Sequence, residues 1–543
     1  MAGAVSAGAY TAGVMDYLLE TLERWEQAKA RNRQTGKGNP GYDPSVPMHE
    51  VEISVLTGAS AGGITTVVAA AALQNHIPHI SPANRGNAQA KLQNKFYDTW
   101  VNMLAENMME QLLDLSDIET EGLVALLNSS FKDKLAEKAL KLQGELADRP
   151  YISKEMEILV TLSNLEGIPF QLGFRSGQKA GSYLTRWQRD YGHFRLGGGA
   201  YRHDGRIPVS FNGQGQHLQI LEQAAKATGA FPVGLRSRKI SRQREFVADN
   251  PFINPLHGTG AVLEIPEQYD TLNVDGGLLN NEPFDITRKI MFDEEDMDKQ
   301  QHHQTFEGTI LMIDPFPSER EEQKEKEGFS LLLNDVIPQI FGTMRSQLLF
   351  KEQDVEAAFD DDDYSRFLIA PKRGNILGSK AIACGSLEGF GGFFSKKFRE
   401  HDFYLGRRNC QHFLRTFLGV PANTDNPLFK GAVVPEAAKR FGFECNGELM
   451  VPIIPDMAPQ GGLTPEEKMP LEFSDIAITK NYLYALQAPV KARLRVILLA
   501  AGVKKLNWPL RKLFNLFFWL KGGKYARKLL EIVENKFRTP GLM

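Results

Sequence analysis

The sequence predicts an α/β protein, with a sheet domain over residues 1–315 and a mostly helical region over residues 316–485. Strand and helix patterns alternate from residue 50 to the end of the first region. A glycine-rich turn joins the first strand to an apolar helix, and charge-dense stretches become frequent after about residue 285. The tail, residues 486–543, differs in composition, because Lys491 to Met543 hold thirteen Lys or Arg against two Glu.

The first region divides into elements by hydrophobic periodicity. A glycine-rich loop leads into a helix in which apolar residues recur at helical spacing up to Trp25. The further elements predicted in order are a strand at 51–56, a buried helix at 64–73, a largely helical stretch at 90–145, a strand at 158–162, a helix near 218–230, and strands at 269–274 and 308–313.

Composition excludes several classes of function. The 543 residues are 42% hydrophobic and 24% charged, which is typical of a soluble globular protein. A net charge of −3 gives no sign of nucleic-acid binding. Cys384, Cys410 and Cys445 lie far apart, so neither a disulfide framework nor a structural zinc site is expected. No metal or other cofactor is expected either, and the acidic run at residues 360–363 is interpreted as a solvated loop.

Location follows from the same survey. The first ten residues lack the basic start and apolar stretch of a signal peptide. No uncharged apolar run approaches the roughly 20 residues that span a bilayer. We therefore expect a cytoplasmic protein, and peripheral contact with membranes is compatible with this expectation.

The motif Gly58-Ala-Ser60-Ala-Gly62 indicates a nucleophile. It matches G-x-S-x-G and lies between a predicted strand and a predicted helix, which is the context that this motif requires. Small flanking residues allow the tight, strained turn that exposes the serine. The turn also places Ser60 at a helix N-terminus, where backbone N–H groups stabilise a developing oxyanion.

A serine nucleophile needs a base, and the sequence offers two kinds. Asp275, in Val274-Asp-Gly-Gly277, ends a predicted strand, and in a parallel sheet catalytic groups gather at strand carboxyl ends. The alternative is a Ser-Asp-His triad. The histidines that follow Asp275 in the chain and could complete it are His302, His303, His401 and His412.

The loop from Gly3 to Gly8 is a candidate oxyanion hole. Consecutive backbone N–H groups with a helix behind them can bind a negative charge. A nucleotide-binding turn would look similar, but no GxxxxGK[ST] pattern is present, which disfavours a P-loop.

The order of these three elements resembles that of patatin-like phospholipases. Ala224 to Val233, Val274 to Phe284 and the segment around Asn128 are similar to the family as well, and the resemblance covers roughly residues 1–315. A later stretch, residues 391–409, resembles the C-terminal part of long bacterial patatin-related proteins. Its basic residues suggest either a site for phosphate head groups or a solvated helix face.

The resemblance implies a three-layer α/β/α fold and hydrolysis of acyl esters of phospholipids or related lipids. It implies that Ser60 is the nucleophile, that Asp275 itself is the base in a Ser-Asp dyad, and that Gly3, Ala4 and Val5 form the oxyanion hole. The nucleophile elbow then includes Gly58 and Gly62.

The chain departs from the family at its first loop. The family's loop usually reads G-G-G-x-[RK]-G, whereas this chain has Gly3-Ala-Val-Ser-Ala-Gly8 and no basic residue. The family also has a strand before the loop, while only Met1 and Ala2 precede Gly3. We therefore expect an N-terminally shortened sequence.

Residues 506–520 predict a membrane-contacting helix. Leu510, Leu513, Phe514 and Phe517 share one helical face, with basic residues beside it. This pattern suits a helix that lies on anionic lipid, and it equally suits a helix docked on the protein core. The functional hypotheses are thus a lipid acyl hydrolase with a Ser-Asp dyad, an α/β-hydrolase esterase with a histidine triad, and a catalytically silent membrane-binding scaffold.

Overall fold

The structure is a computed structural model of the whole chain. It describes residues 1–81, 84–103, 105–141, 147–174, 181–211, 215–259, 263–317, 363–458, 472–501 and 508–543. The helices are α1 (Gly8–Thr35), α2 (Ser60–Ala72), α3 (Ala88–Gln93), α4 (Lys95–Tyr97), α5 (Met109–Leu113), α6 (Ser116–Glu121), α7 (Phe131–Leu140), α8 (Leu218–Thr228), α9 (Glu245–Ala248), α10 (Phe284–Met291), α11 (Lys396–Thr416), α12 (Pro435–Phe441), α13 (Lys480–Ala485), α14 (Gln487–Ala501) and α15 (Trp508–Arg538).

The strands form one large sheet and several small ones. They are β1 (Ile53–Gly58), β2 (Ile152–Phe174), β3 (Gly181–Leu196), β4 (Ile207–Val209), β5 (Arg238–Gln243), β6 (Gln268–Asp275), β7 (Ile310–Ile313), β8 (Arg366–Ile369), β9 (Lys372–Arg373), β10 (Ile376–Leu377), β11 (Gly419–Pro421), β12 (Phe443–Cys445) and β13 (Glu448–Pro452). The predicted α/β class is confirmed: a mixed sheet packs with helices and is followed by a largely helical C-terminal region.

The long strand β2 organises the large sheet. The order is β4-β3-β2-β6-β5, and β1 pairs with β2 as well. Strand β3 pairs along one edge of β2, so β1 and β6 share the opposite edge. Strand β1 runs parallel to β2 and β6 runs antiparallel to it. The carboxyl ends of β1 and β6 therefore point towards each other along one edge.

The first residues of the chain connect β1 with β7. The Met1 amino group donates to the Thr57 carbonyl at 2.9 Å, and the Ala59 N–H donates to the Met1 carbonyl at 3.1 Å. The Ala2 N–H donates to the Ile313 carbonyl at 3.0 Å. These bonds fix the start of the loop that leads into α1.

The C-terminal region packs directly on α1. A Cβ at Gly13 would collide with the Phe403 carbonyl, and a Cβ at Gly406 would collide with the Tyr10 carbonyl, so α1 and α11 approach each other closely at two glycines. One hydrophobic cluster includes buried residues from Ala4 to Leu542, and thus from all three predicted regions.

The C-terminal region also contains short strands that the sequence patterns do not predict. The described part of residues 316–485 carries β8 to β13 among its helices, each of two to five residues. Strands this short show no alternation that a sequence pattern could reveal. Residues 360–362 of the acidic run lie outside the described residues.

The expectation for the basic stretch at residues 391–409 is wrong for two of its arginines. Arg399 is buried and donates to the carbonyls of Val101 and Gly392, while Arg407 is buried in an ion pair with Asp16 and Glu20. A solvated basic face or a head-group site was expected there, but these two guanidinium groups instead satisfy buried acceptors between α11 and the N-terminal region.

In the described ranges, no helix is both long enough and apolar enough to cross a membrane.

Candidate active site

Ser60 lies on a strained turn between β1 and α2. Its φ is +51°, in the left-handed region that a residue with a side chain rarely adopts. The flanking glycines permit the turn, because a Cβ at Gly58 would strike the Gly62 carbonyl and one at Gly62 would strike the Met1 carbonyl. The predicted strand-turn-helix setting is therefore present, and Ser60 begins α2.

Asp275 is the hydrogen-bond partner of the Ser60 hydroxyl. The Ser60 Oγ donates to the Asp275 Oδ2 at 2.6 Å, and both residues are buried. The Gly277 N–H donates to the other carboxylate oxygen at 2.8 Å. The backbone of Asp275 is fixed by the Ala230 carbonyl at 3.0 Å and by the Ser163 hydroxyl at 2.8 Å. The structure thus brings the predicted pair together, and a hydrogen bond to each carboxylate oxygen orients Asp275.

The two residues meet in a way that the sequence did not predict. Parallel strands ending side by side were expected, but β6 runs antiparallel to β2 and so opposes β1. Gly58 is in register with Val160 of β2, and Asp275 with Leu162, two residues further on. The pair forms because both strands end against the middle of one long strand.

The predicted oxyanion loop lies against Ser60. A Cβ at Gly3 would stand 2.7 Å from the Ser60 Cβ. The Gly3 N–H is already engaged by the Asn281 carbonyl at 3.3 Å, whereas the N–H groups of Ala4 and Val5 have no acceptor in the described part of the chain. Of the three predicted residues, Ala4 and Val5 are therefore the ones whose N–H groups are available to an oxyanion.

The loop holds an unfavourable backbone conformation. Val5 has a φ of +49°, which is costly for a β-branched residue, and it begins a 3₁₀ turn, Val5–Ala7, ahead of α1. The Ser6 N–H donates to the Gly389 carbonyl at 3.0 Å, and the Gly392 N–H donates to the Ser6 hydroxyl at 2.9 Å. Residues of the C-terminal region thus stabilise the strained loop.

Thr228 bonds the backbone of Ser60, and sequence analysis did not single it out. Its Oγ1 accepts the Ser60 N–H at 2.8 Å, and the residue is fully buried. It belongs to the stretch Ala224–Val233, whose family resemblance was the available signal. With the Ser60 N–H engaged, the next free donor of the turn is the Ala61 N–H at the start of α2, which has no acceptor in the described chain.

The dyad opens into a small apolar cavity of about 50 Å³. Its polar groups are Ser60, Asp275, Thr99 and Lys132. The remaining walls are mostly apolar and comprise Val5, Ala61, Ile64, Trp100, Met103, Phe131, Leu135, Gly229, Phe231, Leu235 and Phe393. A second, mostly apolar cavity of about 40 Å³ shares Ile64, Thr99, Lys132 and Leu135 with the first and continues between α2, α7 and α8.

Lys132 is a cation at the dyad that sequence analysis did not single out. It is the second residue of α7, it is half-buried, and its ammonium donates to the Gly229 carbonyl. Burial lowers the pKa of its ammonium to about 7, while attraction to Asp275 raises it. A positive charge close to the carboxylate favours the ionised base in an otherwise apolar cavity.

Histidine does not take part in this arrangement in the described structure: none of the eleven histidines lines the cavity. His303 is 3.1 Å from the Thr424 hydroxyl, His401 bonds the adjacent Asp402 at 2.8 Å, and the exposed His412 packs against Phe417. His302 lies beside His303 in the same loop. The geometry therefore contains a dyad of Ser60 and Asp275 without a histidine between them.

Within the ranges that the structure describes, no group of three or more His, Cys, Asp or Glu could hold a metal ion. The three cysteines are free thiols, with Cys384 and Cys410 buried.

Comparison with known proteins finds a similar protein but no function. No protein-family model matches the chain. The uncharacterized protein y4iI of Sinorhizobium fredii (strain NBRC 101917 / NGR234) is 29% identical over 468 residues, which are 78% of this chain. The chain spans 64% of the length of that relative.

Proposed function

We propose that this protein is a patatin-like lipid acyl hydrolase that cleaves carboxylic esters through the Ser60–Asp275 dyad. The observation that carries the proposal is the 2.6 Å hydrogen bond from the Ser60 hydroxyl to the Asp275 carboxylate, on a strained turn at the start of α2. A nucleophile in reach of an oriented base is the minimum that covalent acyl transfer requires. The resemblance to patatin-like phospholipases supports the same chemistry and a three-layer fold.

The reaction proceeds by an acyl-enzyme. The Ser60 Oγ attacks the ester carbonyl carbon while its proton passes to Asp275, and the carbonyl oxygen becomes an oxyanion. The tetrahedral intermediate collapses, the bond to the alcohol breaks, and the alcohol leaves with the proton from Asp275. Water then attacks the acyl-serine, Asp275 takes its proton, and the carboxylic acid is released as Ser60 regains a proton.

The oxyanion is stabilised by backbone donors. The Ala4, Val5 and Ala61 N–H groups are the candidates, since they have no acceptor in the described chain. The positive end of α2 adds to them. Alanine and valine in place of glycine leave these donors intact, because the N–H belongs to the backbone.

The apolar cavities support an ester of a hydrocarbon chain as the substrate. Apart from the dyad, Thr99 and Lys132, the cavity beside Ser60 presents carbon atoms, and the second cavity extends this environment along α7. An acyl chain gains about 0.8 kcal/mol for each methylene that it buries there. A polar acyl group would lose its hydration without compensation.

Two alternatives have weaker support. A histidine triad lacks a histidine near Asp275 among the described residues. A silent scaffold would not explain a serine hydroxyl bonded to a buried carboxylate, since burying both groups is costly without a role.

The test is covalent labelling with a fluorophosphonate probe, followed by hydrolysis of phospholipid, lysophospholipid and triacylglycerol. We expect labelling of the wild type and of His302→Gln, His303→Gln, His401→Gln and His412→Gln, and none of Ser60→Ala. We expect Asp275→Asn to react about 10³-fold more slowly. Absence of labelling in a folded wild-type protein would favour the scaffold, and a required histidine would overturn the dyad.

A further inference from the structure

A rim of exposed apolar side chains adjoins the dyad cavity at Phe231. Val124, Leu126, Phe231 and Val233 are 43%, 40%, 38% and 73% exposed, respectively. Phe231 also lines the cavity beside Ser60. The Leu126 N–H donates to the Val233 carbonyl at 2.9 Å, so two segments distant in sequence form one surface. Large apolar side chains exposed together at a site usually mark a contact surface.

Arg493 attaches the helical hairpin of α14 and α15 to this rim. Its guanidinium donates to the Leu126 carbonyl at 2.8 Å and to the Ala125 carbonyl at 3.1 Å. It also pairs with Asp117 at 2.6 Å, and its side chain is buried. A buried, multiply bonded arginine holds α14 in a fixed position relative to the rim.

Two residues of α14 close to Arg493 in sequence bond α15. Lys491 Nζ donates to the Trp519 carbonyl at 3.4 Å, and Arg495 donates to the Asn515 side chain at 3.0 Å. The stretch of α15 around residues 515–519 therefore lies one helix away from the rim of the dyad cavity.

That stretch of α15 exposes a broad apolar face. Its members are Leu510, Leu513, Leu516, Phe517, Trp519 and Leu520, which are between 47% and 71% exposed. Phe518 faces the other way and is 2% exposed, and Phe514 stacks on it with ring centroids 5.8 Å apart. The exposed face is thus wider than the one predicted from the sequence and excludes Phe514.

Basic residues accompany the apolar face. Helix α15 contains eight Lys or Arg against two Glu. Lys521, Lys524 and Lys528 are exposed immediately after the apolar stretch. Exposed aromatic and aliphatic side chains followed by lysines are the features of a helix that lies in the head-group region of an anionic bilayer.

We propose that the rim of the dyad cavity and the exposed face of α15 form one docking surface for an anionic lipid bilayer. The surface, defined as Val124, Leu126, Phe231, Val233 and the six apolar residues of α15, would insert into the head-group region. Because Arg493 holds α14 to the rim, the side of the cavity that Phe231 lines would lie next to the membrane when the helix binds.

The charges favour a bilayer over a second copy of the chain. In a two-fold contact the same surface is present on both sides, so two lysine-rich α15 helices would bring like charges together. A surface of anionic lipid instead supplies the opposite charge.

Vesicle co-sedimentation tests the surface independently of catalysis, with the full chain carrying Ser60→Ala so that no lipid is consumed. We expect binding to vesicles of phosphatidylcholine with phosphatidylglycerol, and at least tenfold weaker binding to phosphatidylcholine alone. The variant Leu513→Ser/Leu520→Ser should bind the anionic vesicles at least tenfold more weakly, and Leu126→Ser/Val233→Asn should weaken binding as well.

The matched control is Leu377→Ser/Leu449→Ser, which changes two leucines that are 57% and 54% exposed elsewhere on the surface. It should bind like the parent, and the circular dichroism spectra of all variants should agree. Loss of binding in the control as in the α15 variant would overturn the proposal. So would failure of the parent to bind either vesicle, or a dimer in light scattering that only the α15 variant dissociates.

Discussion

Ser60 and Asp275 lie at the ends of strands that run in opposite directions, and yet their side chains share a hydrogen bond of 2.6 Å. Both strands end against β2, which is 23 residues long and therefore passes both of them. The distance between the two side chains is thus set by the register of two strands on a third. A shift of either strand by one residue would turn the corresponding side chain to the other face of the sheet.

Thr228→Val should impair the nucleophile through its backbone. The substitution keeps the shape of the side chain but removes the acceptor of the buried Ser60 N–H, whose loss costs about 1–3 kcal/mol. We expect a lower free energy of unfolding in urea and slower fluorophosphonate labelling. Thr65→Val is the control, because the Thr65 hydroxyl only donates to the Ala61 carbonyl within α2. Equal effects of the two variants would contradict a specific role of Thr228.

Lys132→Met should alter the pH dependence of hydrolysis. The ammonium attracts the Asp275 carboxylate, so its removal makes the ionised base less favourable in the apolar cavity. We expect the acidic limb of the kcat/KM profile to move upwards by about one pH unit. Lys134→Met on the same helix changes an exposed lysine and should leave the profile unchanged. Lys132→Arg should restore most of the wild-type limb, whereas an unchanged profile in Lys132→Met would exclude this role.

Gly3→Ala should separate the oxyanion loop from the nucleophile. The new Cβ would stand 2.7 Å from the Ser60 Cβ, closer than two carbon atoms can approach. We expect fluorophosphonate labelling to slow by about a hundredfold, the typical effect of losing an oxyanion donor. Ala4→Gly keeps its N–H group and should label within a few-fold of the wild type. Normal labelling of Gly3→Ala would mean that another group binds the oxyanion.

Stability should fall as the pH rises from about 6.5 to about 9, because of His79. Burial lowers the pKa of His79, but Asp16 at 2.9 Å and Glu23 at 3.2 Å raise it, to about 9. A histidine with a raised pKa contributes its full stabilisation below the unfolded value near 6.5 and loses it above the folded value. The change corresponds to about 3 kcal/mol in the free energy of unfolding.

Urea denaturation at a series of pH values measures this change. His79→Gln should be less stable than the wild type at pH 6. Its free energy of unfolding should not decline between about pH 6.5 and about pH 9. His412→Gln alters an exposed histidine and should keep the decline. A wild-type stability that stays constant over this range would contradict a charged His79.

The turn that carries Ser60 could be predicted from sequence because it depends on neighbours in the chain. Small residues around Ser60 and the strand and helix on either side are local features, and they appear in the structure as expected. Asp275 was found from its own local pattern, but the direction of its strand was not, since pairing with β2 depends on residues more than a hundred positions away.

The residues around Ser60 and Asp275 were also hard to predict, because they come from distant parts of the chain. Thr228 and Asn281 bond Ser60 and its loop, and Lys132 lines the cavity beside Ser60, only through the tertiary fold, and none belongs to a motif with a fixed spacing. The buried Arg399 and Arg407 show the opposite error, because a basic stretch in a sequence does not reveal that its guanidinium groups find acceptors in the core. On α15, the 3.6-residue period located an apolar face, whereas only packing shows that Phe518 is the residue turned inwards.

The close packing of α1 against α11 limits how this protein can be shortened. Gly13 and Gly406 allow the helices to touch, and Gly389 and Gly392 bond Ser6, so the loop before α1 is held by residues almost four hundred positions away. A fragment that ends at residue 315 would expose the apolar side of α1 and release the strained Val5. Deletion mapping should therefore find no autonomous hydrolase in the N-terminal part, and engineering for expression has to retain α11 and the loop before it.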